Sequence, residues 1–291
     1  MMYRNYEEFW DKISTVEEND YDDEKVNRLL RWKAINENLC GVRTILDIGA
    51  ATGAFSIPLA KMGYEVTHFD LSQDMINKAI LKSKGVDKIK FIKGNAVDLS
   101  AFKEDEFDLV LCFDGAISFS GKNSNKVIEE SCRVGKKLML TVSNKSCMVA
   151  TWLNYSLSKF GRIHPSVKDM MVTGYFNKAN YDDASELTSI DEIKAYDIKE
   201  LSDILISNNM RVIECRSLGS LTHLYLLHLY RQYNYQEVNK KINEISIDND
   251  FIELCDYYDK EVMNCGMGSF RRAGIIAIAE KINDNSIEKS K

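Results

Sequence analysis

The chain has 291 residues, of which 45% are hydrophobic, 10% aromatic and 28% charged, enough apolar material for one large core or two ordinary ones. Thirty-eight Lys and Arg against 44 Asp and Glu leave a net charge of −6, which counts against a protein that coats nucleic acid, a role that rests on a basic excess. No apolar run approaches the ~18 residues that span a bilayer, the start MMYRNYEEFWDK lacks a signal-peptide pattern, and a cytoplasmic location is expected.

The seven cysteines are odd in number and form no Cys-x-x-Cys pair, so they read as reduced thiols rather than a disulfide or zinc framework. Residues 1–43 read as an N-terminal helical cap. Phe9, Trp10 and Ile13, then Val26, Leu29, Leu30 and Ile35, recur at helical spacing around an acidic loop at Glu17 to Asp23. From Thr44 the pattern alternates. Short apolar strands are predicted at 44–48, 65–69, 89–93, 107–113 and 137–142, with helices through Met62, from the N-cap Ser72, and near Val127 to Cys132. Strands at 211–216 and 274–279 complete seven. The expected fold class is α/β, a doubly wound, mostly parallel seven-stranded sheet with the last strand antiparallel. The core is read as 44–145, followed by a helical insertion at 146–195. The second half of the core, 196–291, carries a helical insertion at about 221–268. Both insertions are expected to cover the ligand edge of the sheet.

The informative stretch is ILDIGAATGAFSIPLAKMGYEVTHFDLS at residues 45–72. Asp47 ends a strand, the small residues Gly49, Ala50, Ala51, Thr52 and Gly53 form a turn, and a helix follows. Open parallel sheets bind ligands beyond the carboxyl ends of their strands, and small residues let the backbone approach closely. Asp70 ends the second strand, where a carboxylate can accept two hydrogen bonds from a ribose diol. Gly53 falls at the wrong spacing for the nicotinamide dinucleotide fingerprint, and an acid at Asp47 suits an amino-bearing ligand better than a pyrophosphate.

This pattern resembles the class I S-adenosylmethionine-dependent methyltransferases. Their first motif, acid-x-Gly-x-Gly/Ala-x-Gly, is matched by Asp47, Gly49, Ala51 and Gly53. The resemblance implies that Asp70 binds ribose and that Gly94-Asn95-Ala96 stands where the family has Gly-Asp-Ala, with its acid on the adenine amino group. FDLVLCF at 107–113 and KKLMLTV at 136–142 match the fourth and fifth strand motifs, and 196–212 the late helix and sixth strand. Asn95 can still meet adenine through its carbonyl oxygen; Asp98 is the alternative. The implied fold is Rossmann-like, the cofactor S-adenosyl-L-methionine, and the product S-adenosyl-L-homocysteine. The implied cofactor contacts are Asp47, Gly49, Ala50, Ala51, Gly53, Asp70, Leu71, Asn95, Ala96, Phe113 and Ser118. The implied partner is a small-molecule methyl acceptor reacting at O, N or C.

Plainer readings stand beside these. Gly49 and Gly53 also suit any tight turn, Asp70 also suits a helix cap, and Asp47 also suits loop bracing. Asp114 and Ser118 follow the fourth strand, beside substrate or as an ordinary loop turn, and Phe113 and Phe119 suit either a ligand wall or core. Asp114 and His164 are the weak candidates for a catalytic group; a histidine beside a proline is more often a turn residue. His223 and His228, five apart, do not make a helical metal pair. Tyr21-Asp22 resembles a cap pair of related enzymes, and Arg28 and Arg31, one helical turn apart, face either the cofactor carboxylate or water, with water the preferred reading. Methylation of RNA or a peptide, a non-catalytic cofactor binder, and a nicotinamide-dependent oxidoreductase remain the alternatives.

Overall fold

The computed structural model describes residues 7, 8, 10–12, 14, 24–113, 115–263 and 274–282. The expected Tyr21-Asp22 contact and the Asp114 candidate lie outside these residues. Among the described residues, nine strands occur in chain order: β1 (Thr44–Ile48), β2 (Glu65–Asp70), β3 (Ile89–Lys93), β4 (Phe107–Cys112), β5 (Gly135–Val142), β6 (Tyr175–Asn177), β7 (Glu192–Lys194), β8 (Met210–Ser217) and β9 (Ile275–Lys281). Seven make one sheet in the order β3-β2-β1-β4-β5-β9-β8. β1 to β5 pair in parallel, whereas β9 runs antiparallel to both β5 and β8. The order reverses between β1 and β4, and this switch point opens a crevice beyond their carboxyl ends. The expected doubly wound α/β sheet is therefore present, with its last strand antiparallel.

Both faces of the sheet are covered, and alternate side chains choose between them. Leu46, Val110, Leu138 and Leu140 point to one face, where they meet α5 (Ser124–Val134) and α9 (Ile198–Ser207). Ile45, Leu109, Leu111 and Met139 point to the other. There they meet α1 (Glu24–Glu37) and the short α2 (Ser56–Lys61). α3 (Gln73–Lys82) starts as expected at Ser72, whose side chain accepts from the Met75 amide. α4 (Gly115–Ser118) follows β4 directly.

The two insertions differ in placement. After β5 come α6 (Lys145–Phe160), α7 (Pro165–Thr173), the β6–β7 hairpin and the one-turn α8 (Ala184–Leu187). Their buried residues Met148, Trp152, Val167, Met170, Phe176 and Ile193 form a separate small core. The hairpin was not expected, because three-residue strands carry too little alternation to be read. The second insertion contains α10 (Ser220–Leu229), α11 (Tyr235–Ile245) and α12 (Asn249–Tyr257). Its Leu226, Leu229, Val238, Ile242 and Cys255 pack with Ile276, Ile278 and Met139. The expectation that it covers the ligand edge is thus corrected: it lies on a face of the sheet, completing the layer begun by α1.

Trp152 is fully buried, with its ring 5.1 Å from that of Phe176. Trp152→Ala should lower stability by ~3–5 kcal/mol through lost burial and an unfilled cavity. Hydrogen exchange should quicken across 145–195 while the amides of β1 and β4 stay protected. Uniform loss of protection in both regions would show that the small core is not separate.

Candidate active site

The crevice is built by the ends of β1, β2 and β4. Beyond Ile48 the chain turns back at once: the Gly49 and Ala50 amides both donate to the Phe69 carbonyl, at 2.8 and 3.2 Å. Gly49 has φ +68°, and a Cβ there would lie 2.8 Å from that of Ala116, so this position takes glycine for backbone freedom and for space. Ala51 adopts φ 47°, left-handed and costly for a residue with a Cβ, by roughly 1–2 kcal/mol. The strain is held in place by Asp70: Ala51 N donates to Asp70 Oδ2 and Ser72 N to Asp70 Oδ1, both at 2.8 Å. One carboxylate thus ties the turn after β1 to the turn after β2. Burial pushes its pKa up, while the Ser72 and Ala51 amides pull it down.

Asp47 lies one turn deeper. It is fully buried, its Oδ2 has no hydrogen-bond partner, and burial pushes its pKa from 3.8 to about 7, with the nearby Asp70 charge adding to the rise. Ser56 lowers it by hydrogen bonding, and the Ser56 hydroxyl also meets His68 Nδ1 at 2.8 Å. His68, pushed down to about 4 by burial, is neutral at physiological pH and belongs to this framework.

At the end of β3, Asn95 is half-buried and its Oδ1 accepts from the Val97 amide at 3.0 Å. Asp98 is exposed and caps its own turn through Ser100, which holds its pKa low. Asn95, not Asp98, therefore stands within the fold at the crevice edge; Leu71 and Ala96 are half-buried beside it. At the end of β4, Phe113 is buried with its ring 5.1 Å from Phe55. Ser118 is also buried, and its hydroxyl accepts from the Ser143 amide at 2.8 Å, joining the loop after β4 to the end of β5.

Three features were missed in the sequence. Arg31, read as facing water, is buried, with its guanidinium 5.5 Å from the Phe55 ring and 5.9 Å from the Phe113 ring. It also pairs with Glu24. Second, Glu7, Trp10 and Asp11 lie against the end of β3, the segment after β4, and the start of α3. Glu7 pairs with Lys93 at the end of β3, Asp11 accepts from the Ser72 hydroxyl and the Asp74 amide after β2, and the Trp10 ring meets Phe119 edge-on at 5.6 Å after β4. Third, the β6–β7 hairpin is tied to itself by Glu192, which accepts from Tyr175 at 2.6 Å and Asn177 at 2.7 Å.

His164 is not brought to the crevice. It is 1% exposed, caps α7, and spends both ring nitrogens, Nδ1 on Ser166 Oγ at 2.7 Å and Nε2 on Asp183 Oδ1 at 2.8 Å. Its place is in the core of the first insertion, with no surface left for a reacting group.

Residues 45–137 match a family model described as a methyltransferase domain. Over this stretch the chain is similar to a methyltransferase domain, and its strand order is the doubly wound one that the motif implies. It is 37% identical over 73 residues to the ubiquinone biosynthesis O-methyltransferase of Hydrogenovibrio crunogenus, covering 25% of this chain and 30% of that one. It is 36% identical over 95 residues to the demethylmenaquinone methyltransferase of Clavibacter sepedonicus, covering 32% and 36%. The chain spans less than half the length of the curated relatives it matches first. In overall fold it resembles a S-adenosylmethionine-dependent methyltransferase structure from Methanosarcina mazei. The TM-score is 0.53 at 20% identity, covering 86% of this chain and 98% of that one.

The cofactor of this class, S-adenosylmethionine, fits the crevice on its chemistry. The buried, unpartnered Asp47 Oδ2 calls for a donor, and Asp70 has acceptor capacity beyond its two amides.

The Asp47 pKa sets a sign for stability. Between 3.8 and about 7 the folded chain keeps a proton that the unfolded chain has lost. Stability from this group therefore falls as pH rises through that window and levels off above it. Melting curves between about pH 4 and pH 8 should show the fall, by a few kcal/mol at ~1.4 per pKa unit, and Asp47→Asn should flatten it. An unchanged slope in the variant would assign the effect to other groups.

Proposed function

We propose that this protein transfers the methyl group of S-adenosylmethionine to an O, N or C nucleophile of a small-molecule acceptor. The observation that carries the reading is the strained turn from Asp47 to Gly53, clamped by the Asp70 carboxylate at the switch point of the sheet. The sulfonium supplies an already activated methyl group, so the reaction needs no nucleophile from the protein. The chain's own task is alignment and exclusion of water, which can supply up to ~7–11 kcal/mol of a barrier.

Within this reading Asp70 accepts from the ribose hydroxyls, and Gly49, Ala50, Ala51 and Gly53 present backbone at close range. Asp47 receives the ammonium end, and Asn95 and Ala96, with Leu71, border the adenine. Arg31, over Phe113 and Phe55, supplies positive charge at the methionyl end. The 7–12 segment and the first insertion wall off the acceptor side, and Ser118 and Ser143 hold the loop between them in place. A small acceptor is favoured by this covered crevice and by the net charge of −6, which opposes an RNA substrate. Relatives named for quinone and magnesium-protoporphyrin substrates point the same way, and one named as a lysine methyltransferase of a protein points the other.

Two measurements test this. Asp70→Ala should weaken S-adenosylhomocysteine binding by ~1–3 kcal/mol in a titration, the usual loss of charge-assisted hydrogen bonds. An unchanged affinity would remove the assigned role. Incubation with a methyl-labelled donor and fractionated cell extract should place label in the metabolite fraction. Label in RNA or protein would overturn the small-molecule reading, and no binding of the donor would overturn the whole.

A further inference from the structure

Residues 7, 8 and 10–12 have helical backbone, and Trp10 and Asp11 stand three and four residues after Glu7, so these three side chains share one helical face. Each meets a different part of the crevice rim. Glu7 pairs with Lys93 at the end of β3, Asp11 accepts from the Ser72 hydroxyl and the Asp74 amide at the start of α3, and Trp10 lies against Phe119 after β4. A Cβ on Gly115 would stand 3.0 Å from the Trp10 ring, so a glycine seats that ring closely. β2 and β1 lie between β3 and β4 in the sheet, which sets the outer anchors three strand spacings, or ~14 Å, apart. The anchors also adjoin the residues assigned to the cofactor. Lys93 is two residues before Asn95, Ser72 follows Leu71, and Gly115 is two residues after Phe113.

Asp11 reaches further than the rim. The Ser72 hydroxyl that it holds also accepts from the Met75 amide as the cap of α3, and Ser72 N donates to Asp70 Oδ1 at 2.8 Å. Docking of Asp11 and placement of the Asp70 carboxylate thus share one serine. On the reading that this crevice holds S-adenosylmethionine, we propose that the segment carrying Glu7, Trp10 and Asp11 is a strap over the adenosyl half, latched by Asp11 on Ser72, and that cofactor exchange waits on its opening. The contacts suit a closure that reverses. They amount to one hydroxyl, one amide, one ring edge and an ion pair open to water, and such an exposed pair adds little. Asp11 is a positioning residue, acting through Ser72 on Asp70. Its charge also faces that of Asp70 and adds to the rise in the Asp70 pKa, a repulsion that two donating ribose hydroxyls would ease. Donor and product pass the same strap, so its opening paces turnover.

Surface plasmon resonance with S-adenosylhomocysteine on the immobilised full chain tests this, because a gate slows entry and exit alike whereas a supporting contact slows exit alone. Asp11→Ala should raise the association and dissociation rates together, each by about tenfold or more, and change the affinity far less. Trp10→Ala should act in the same direction. Asp11→Asn, which keeps an oxygen for the Ser72 hydroxyl, should stay within about threefold of the native rates. Trypsin supplies a second readout at Lys12, which is exposed. Saturating S-adenosylhomocysteine should slow release of residues 1–12 from the native chain and give no protection to Asp11→Ala. Faster dissociation with an unchanged association rate would make Asp11 a static support and overturn the strap. So would native rates in Asp11→Ala, or tryptic release that the ligand does not slow. A native chain that binds no S-adenosylhomocysteine fails at the cofactor reading instead, and the strap falls with it.

Discussion

The arrangement of the crevice depends on one carboxylate. Asp70 stands at the end of β2 with an oxygen on each of two backbone amides, Ala51 from the turn after β1 and Ser72 from the start of α3. Its neighbour Phe69 takes the Gly49 and Ala50 amides on its carbonyl. The end of β2 therefore satisfies three successive donors of a turn that makes no sheet bonds of its own. Without those acceptors the left-handed Ala51 would relax toward ordinary backbone, since nothing in the residue itself favours φ 47°. The cost is a carboxylate buried beside a second one at Asp47, and the elevated pKa of each records it.

Around this frame the chain uses two kinds of cover. Helices on the sheet faces bury alternate strand residues and carry the bulk of the apolar area. The 7–12 segment and the first insertion instead lie at the carboxyl ends of the strands, joined to the frame by a few polar and aromatic contacts such as Asp11 with Ser72 and Trp10 with Phe119. Elements with few buried contacts open at lower free energy than core strands. On the proposed function this division is useful, because donor and acceptor have to enter and leave past these parts and not through the sheet.

What could be read from the sequence follows the same division. The turn from Asp47 to Gly53, the acid at Asp70 and the Ser72 cap are local, so spacing alone placed them. The five parallel strands were legible because such strands read as short, largely apolar runs. Partners distant in sequence were not. Ser118 meets the Ser143 amide 25 residues on, and Arg31 reaches aromatic rings of two later elements. His164 stood only as a weak candidate because a histidine that caps a helix and one that moves a proton look alike until its partners Ser166 and Asp183 are known. The placement of 221–257 on a sheet face was hidden for a different reason. α10 carries no Asp, Glu, Lys or Arg, so no charged face marked which side is buried.

The identity of the acceptor is the least legible property, and the structure gives the reason. On the proposed function, most of the cofactor contacts come from one continuous stretch between β1 and α3, with Asn95, Ala96 and Arg31 added from elsewhere. On the same reading the acceptor half would be assembled from three: residues 7, 8 and 10–12, the segment after β4 from Gly115, and the first insertion. The last two meet closely at Gly121. Gly121, at φ +54°, leaves room for Glu192, whose Oε2 would lie 2.1 Å from a Cβ placed there. Glu192 in turn holds Tyr175 and Asn177 of the hairpin. The spacing between hairpin and loop is thus set by a glycine and a carboxylate 71 residues apart, neither of which carries a motif. A pocket whose dimensions rest on such a contact changes shape with small substitutions far from the cofactor, which lets one sheet and one cofactor frame serve acceptors of very different size.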